Sequence, residues 1–345
     1  MAGGLLQYSG LVTKTKAMHG RLLTSEELSY LTELETVDDF ISYLKESAGY
    51  HEIYESHEEI HHRSQVEAIL HNSLYLDYKK LYQFADSEPK CGLELLFLRY
   101  ETNILKKCLD AALHGGKERD TEYLKMIFDR HSSFDTGVVT QARNLQELSN
   151  ALLGTPYENL FLRFAESESM ESGDMAFALD IFYYQMAWKK IGKIQDQRMK
   201  KILRELIGTE IDWQNIMWIY RSKQFYSMNP REIEANLIPV RYRLKKTELE
   251  QMTEAESVEQ LLEILRKSVY VTEKNPLVSM REEITFLKIK AKTYDRLCRK
   301  YPYSIAPVLK YLEEKEIEID RLTTILEGVR YQIPAREIRE MILIL

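Results

Sequence analysis

The sequence predicts an all-α protein made of three similar helical domains, and three observations carry that prediction. Only 14 Gly and 8 Pro punctuate 345 residues, a balance that suits helices joined by short loops and disfavours turn-rich β folds. Apolar residues recur three and four apart along most of the chain, the spacing that lines one face of a helix. The chain also repeats itself, at an interval as long as one small helical domain.

The first repeat element is 21–39, which aligns without a gap on 242–260. It matches at Leu23/Leu244, Glu27/Glu248, Leu28/Leu249, Thr32/Thr253, Glu33/Glu254, Glu35/Glu256 and Val37/Val258. The next element is a helix seen three times, beginning at Thr36, Asn144 and Ser257, each a residue type that caps helix N-termini. In the first copy Thr36 and Asp39 form a start like a capping box, and Val37, Phe40, Ile41 and Leu44 build one apolar stripe that needs another helix to cover it. A third element recurs as Tyr100-Glu-Thr-Asn, Asp212-Trp-Gln-Asn and Glu318-Ile-Asp-Arg. Its later copies are followed by Asn229-Pro-Arg-Glu-Ile-Glu and Pro334-Ala-Arg-Glu-Ile-Arg. Asn103 and Asn215 are 112 residues apart, and Asn215 and Arg321 are 106 apart.

Between these elements, helical stripes are expected over 64–86, 93–113, 174–206, 211–226, 279–300 and 304–328. Breaks at Gly115-Gly116 and at Ile238-Pro239 divide the chain into copies 1–116, 117–237 and 238–345.

Several function classes are disfavoured. A net charge of −7 argues against a nucleic-acid protein, because phosphate binding needs concentrated Lys and Arg. No apolar run approaches the roughly 20 residues that cross a bilayer, and Met1 to Leu23 lacks the order of basic, apolar and small residues found in a signal peptide. A cytoplasmic protein that does not itself span the membrane is expected. Cys91, Cys108 and Cys298, odd in number and widely spaced, read as reduced thiols.

One constellation invites a catalytic reading. His57-Glu58-Glu59-Ile60-His61 is a literal H-E-x-x-H, in which His57 and His61 could hold zinc and Glu58 act as general base. Its surroundings, from Tyr54-Glu55-Ser56 to His62-Arg63-Ser64, are polar rather than the apolar interior that supports such a metal. Glu67, His71 and Glu88 give no clear third ligand. A solvated helix is the better reading. The phosphate-cradling G-x-x-x-x-G-K-[ST], the dinucleotide G-x-G-x-x-G and the G-x-S-x-G elbow are all missing from the sequence. The many acidic residues read as solvated helix faces. The aromatic groups Phe182-Tyr183-Tyr184 with Trp188, and Trp213 with Trp218 and Tyr220, read as packing between helices. The basic cluster Arg241, Arg243, Lys245 and Lys246 reads as a solvated face or a contact with an acidic partner. No catalytic residue, cofactor or metal is assigned.

The C-terminal run from Lys315 to Glu340 resembles the end of the C subunit (AC39 family) of prokaryotic V-type rotary ATPases, called d in eukaryotes. Glu316, Glu318, Ile319, Gly328, Glu337, Ile338 and Arg339 fall on the family pattern. Lys14-Thr-Lys-Ala-Met-His-Gly-Arg-Leu-Leu-Thr-Ser-Glu-Glu and Tyr43-Leu-Lys-Glu-Ser-Ala-Gly-Tyr are similar to its opening segment. Arg321 stands where the family usually has Asn, and Val329 replaces a Lys. The resemblance implies three helical domains around a pseudo-threefold axis, forming a funnel. It implies a non-catalytic central-stalk component that couples the central shaft to the membrane rotor ring, on the cytoplasmic side and peripheral to the membrane. The partners would be the central-shaft and rotor-ring subunits, with proton or sodium transport or ATP synthesis as the output of the whole. An unrelated helical-repeat scaffold is the structural alternative, although the familiar helical repeats have periods of roughly 33 to 47 residues, far shorter than this one. A zinc hydrolase built on His57, Glu58 and His61 is the enzymatic alternative.

Overall fold

A computed structural model describes residues 2–55, 63–114, 132–167, 170–226, 228–271 and 282–343. Among these residues the secondary structure is helical, with no strand. The described residues fall into two compact units. Unit 1 takes Met1–Leu93, Asp110–Ala165 and Pro302–Leu345; unit 2 takes Glu94–Leu109 and Glu166–Tyr301. Each unit therefore gathers pieces of more than one sequence copy.

Unit 1 is organised on α16 (Ala306–Arg330), a 25-residue helix with a proline in its first turn, where a missing N–H costs nothing. It packs against α1 (Ala2–His19), α3 (Val37–Glu46), α5 (Arg63–Phe84) and α17 (Ala335–Ile342). One short helix leads into α3: the turn after α1 ends at Thr24, which caps α2 (Ser25–Leu31) in a complete capping box with Glu27. Thr36 caps α3 by accepting from the Asp39 N–H at 3.1 Å. The Asp39 carboxylate returns to the Thr36 hydroxyl rather than to its backbone, so the box expected there is only half formed. The α3 stripe, Phe40, Ile41 and Leu44, is buried as its spacing demands, each side chain contributing about 1.5–3 kcal/mol by leaving water. After α3 come α4 (His51–Glu55), then α5. The two ends of α6 (Ser87–His114), α7 (Thr136–Gln141), α8 (Leu145–Ala151, capped by Asn144) and α9 (Glu158–Glu166) complete the unit.

Unit 2 is organised on α11 (Gln197–Arg221), also 25 residues long. It packs against α10 (Ser172–Lys193), α13 (Lys246–Glu254) and α15 (Glu282–Lys300); α13 in turn carries α12 (Pro230–Ala235) and α14 (Val258–Arg266). Ser257 caps α14 by accepting from the Gln260 N–H at 3.2 Å, so all three repeat helices start on the residue the sequence marks. The core here joins Trp213, Ile216 and Ile219 of α11 to Ile233, Met252, Leu261 and Leu265.

Several helix boundaries differ from the sequence reading, and α6 begins at Ser87 rather than at 93. The single helix expected over 174–206 is broken between Lys193 and Gln197: Ile194 is extended, and Asp196 caps a new helix by accepting from the Met199 N–H. The helix expected to begin at 211 therefore begins at Gln197. A short polar residue bonded to its own backbone outcompetes the apolar periodicity that runs through it. At the other end, α11 passes into a π-helical turn, Ser222–Tyr226, which leaves Phe225 and Tyr226 exposed.

Candidate functional site: buried acids on the two long helices

The charged residues that matter most are buried. In unit 2, Asp212 lies on α11 and is fully buried. Its Oδ1 accepts from the Tyr242 N–H at 2.9 Å. Its Oδ2 accepts from the N–H groups of Arg243 at 2.6 Å and Leu244 at 3.0 Å, and from the Tyr270 hydroxyl at 2.7 Å. Three donors thus converge on Oδ2 and one on Oδ1, close to the capacity of about four acceptor sites that a carboxylate has. One helical turn earlier, an added Cβ at Gly208 would overlap the Tyr242 ring, so the glycine is what lets the 242–244 backbone come close enough.

In unit 1 the same position of the repeat, 106 residues on, is Glu318 of α16. Its Oε2 accepts from the Leu23 N–H at 2.5 Å; its Oε1 accepts from the Tyr50 hydroxyl at 2.7 Å and from the Lys315 ammonium at 2.9 Å. Leu23 and Leu244 are the pair that sequence alignment matches. Lys315 is itself buried and lies 3.8 Å from the centre of the Tyr50 ring. Burial, and then the adjacent Glu318 charge, push the Tyr50 hydroxyl well above the ordinary phenol range. Burial and Asp212 do the same to Tyr270. These tyrosines act as fixed donors, not as acids.

The two clusters share one logic: a buried acid on a long helix holds the start of the next copy's helices. The α11 helix of the second copy holds the start of the third, and α16 of the third holds the start of the first. Further ion pairs brace α11. Glu205 is shared by Arg243, at 3.0 Å, and Arg296; Glu210 accepts from Lys290 at 2.9 Å. Asn215 donates to the Ile238 carbonyl at 3.1 Å and accepts its N–H at 2.8 Å. Arg321, its repeat counterpart, makes no such clamp, and its Nε is buried without a hydrogen-bond partner among the described residues.

The reading of acidic residues as solvated faces fails at Glu205, Glu210, Asp212 and Glu318, each on the inward side of a long helix with donors facing it. The basic cluster divides. The Arg243 side chain pairs with Glu205, whereas Lys246 sits on the surface with Glu250 at 3.2 Å, and the N–H of Lys245 belongs to the cap of α13 with Glu248. The aromatic groups pack between elements of unit 2: Trp213 stacks on Phe286, Trp218 on Phe177, and Trp188 meets Tyr242 edge-on. His57, Glu58 and His61 lie outside the described residues. Among the described residues no three His, Cys, Asp or Glu side chains gather as metal ligands, and no helix is long and apolar enough to cross a membrane. Cys91, Cys108 and Cys298 are not joined by disulfides. Asp212, with four donors, and Glu318, with three, hold the segments that face them in place.

A family model described as ATP synthase (C/AC39) subunit matches residues 11–341. Archaeal proteins named as the C subunit of A-type ATP synthase are similar over nearly the whole chain. That of Methanosphaera stadtmanae is 25% identical, covering 96% of this chain and 86% of its own length. That of Archaeoglobus fulgidus is 25% identical, covering 99% and 98%. That of Thermococcus kodakarensis is 24% identical, covering 97% and 90%.

Proposed function

The chain belongs to the ATP synthase (C/AC39) subunit family, and from that premise we propose that it is a non-catalytic central-stalk subunit of an A/V-type rotary ATPase. It couples the central shaft to the membrane rotor ring from the cytoplasmic side, peripheral to the membrane. ATP hydrolysis or synthesis in the head is thereby linked to proton or sodium movement through the ring. The observation that carries this reading is the family match, which spans both units. The buried clusters support it: a part that transmits torque needs stiffness, and acids that lock one copy's long helix to the next copy's start provide stiffness without a reactive group. Two such handovers in the same direction along the repeat also support three like domains, 1–116, 117–237 and 238–345, set as a funnel with pseudo-threefold symmetry.

The test uses membranes carrying the rotary complex stripped of this subunit. ATP hydrolysis in the head is expected to persist while ion pumping is lost, and adding back the purified chain is expected to restore pumping and to capture shaft and ring subunits together. A chain that neither restores pumping nor captures either partner would sink the proposal.

A further inference from the structure

The register positions of Gly208 and Tyr242 in unit 2 correspond to Glu314 and Arg21 in unit 1. Glu314 turns to His19 at 3.0 Å. Where unit 2 presses the Tyr242 ring onto its long helix, unit 1 keeps a cavity of about 300 Å3 between α1, α4, α5 and α16, a volume at the lower end for small-molecule sites. At this register position Arg21, on the cavity wall, stands where unit 2 has the Tyr242 ring.

Its walls carry four cations, Lys14, Arg21, Lys80 and Lys315, against two carboxylates, Glu52 and Asp77. Lys315, at the back, is committed to Glu318, which sits behind the wall; with Glu318 counted, the surplus is one positive charge. Asp77 accepts from the Tyr311 hydroxyl at 2.5 Å and lies 3.9 Å from the Lys80 ammonium, and burial raises its carboxyl above the ordinary range. The rim is less committed. Glu52 takes the Lys80 ammonium at 3.0 Å, but Arg21 approaches it only to 3.7 Å, beyond hydrogen-bond length. Lys14 leans over the Phe84 ring, 5.1 Å from its centre, with no carboxylate on it among the described residues. Met18, Leu22 and Ile53 add an apolar wall.

We propose that this cavity binds a phosphate group, carried by inorganic phosphate or by a small phosphomonoester. A phosphate group offers three terminal oxygens to the three cations of the rim, Lys14, Arg21 and Lys80, where a carboxylate offers two. The guanidinium fork of Arg21 and the ammonium groups of Lys14 and Lys80 give it the donors it recognises. The apolar wall accommodates the carbon body of an ester. The inference is independent of the rotary role.

The experiment is titration calorimetry on the full chain with three probes: inorganic phosphate, glycerol 3-phosphate, and vesicles of phosphatidic acid in phosphatidylcholine. Two variants accompany it: Ala17→Trp, which blocks the mouth from an exposed position, and Lys14→Gln combined with Arg21→Gln. Saturable binding of at least one probe is expected, weakening with salt, falling at least about tenfold in the charge variant and disappearing in Ala17→Trp. Which probe binds most tightly tells a free anion from a soluble ester or a lipid headgroup. Absence of saturable binding by all three, or binding that survives both variants, overturns the proposal.

Discussion

The Asp212 and Glu318 clusters perform the same task with different means. The shorter acid of unit 2 makes the backbone come to it: Gly208 clears the way, and three consecutive N–H groups converge on one carboxylate. The longer acid of unit 1 reaches one N–H and one tyrosine, and a buried lysine supplies the third donor. A carboxylate held by dipoles in one unit is thus matched by a buried ion pair in the other. The two should fail differently, because a dipole left unpaired and a charge left unpaired carry different penalties.

The largest effect is expected from Glu318→Gln, which leaves the Lys315 ammonium buried without its counter-charge and should cost about 3–5 kcal/mol. Adding Lys315→Met should recover most of that loss, and a double variant no more stable than the single one would show that the charge is not the issue. Chemical denaturation followed by far-ultraviolet circular dichroism reads this. Asp212→Ala should cost about 3 kcal/mol by orphaning buried N–H groups, with Asp212→Asn milder because one acceptor oxygen survives. All three tryptophans, Trp188, Trp213 and Trp218, lie in unit 2, so intrinsic fluorescence follows this loss directly. Gly208→Ala should cost about 1–3 kcal/mol by driving a methyl group into the Tyr242 ring, and Tyr242→Ala in the same chain should relieve most of it. The smallest effects test the repeat itself. Thr36→Ala and Ser257→Ala, equivalent caps in different units, should each cost about 1 kcal/mol by thermal melting. A large disparity would mean that equivalence in sequence has not carried over to energetics.

Much of this was legible in the residues. The three cap residues, the apolar stripes they precede and the Leu23/Leu244 correspondence all reappear in the fold, because capping and amphipathic spacing are local properties. The buried acids were not legible. Glu318 lies three residues after Lys315, a pattern that usually marks a solvated helix face. Only the donors facing it, Leu23 and Tyr50 from nearly 300 residues away, reverse that reading. Asp196 ends one helix by capping another, a signal that a single short polar residue in an apolar run conceals. The change in repeat interval from 106 at Asp212/Glu318 to 105 at Arg231/Arg336 was visible as arithmetic, but its meaning was not.

That missing count belongs to the π-helical turn. One extra residue in an α-helix would rotate everything beyond it by about 100° and carry Ile233 away from its core. Widening a single turn absorbs the residue instead. Met228 still donates to the Ser222 carbonyl as Ile333 does to that of Gly328, and Ile233 and Ile338 remain buried. The helix behaves as a shock absorber for insertions: copies of this repeat can drift in length while their angular phase is preserved.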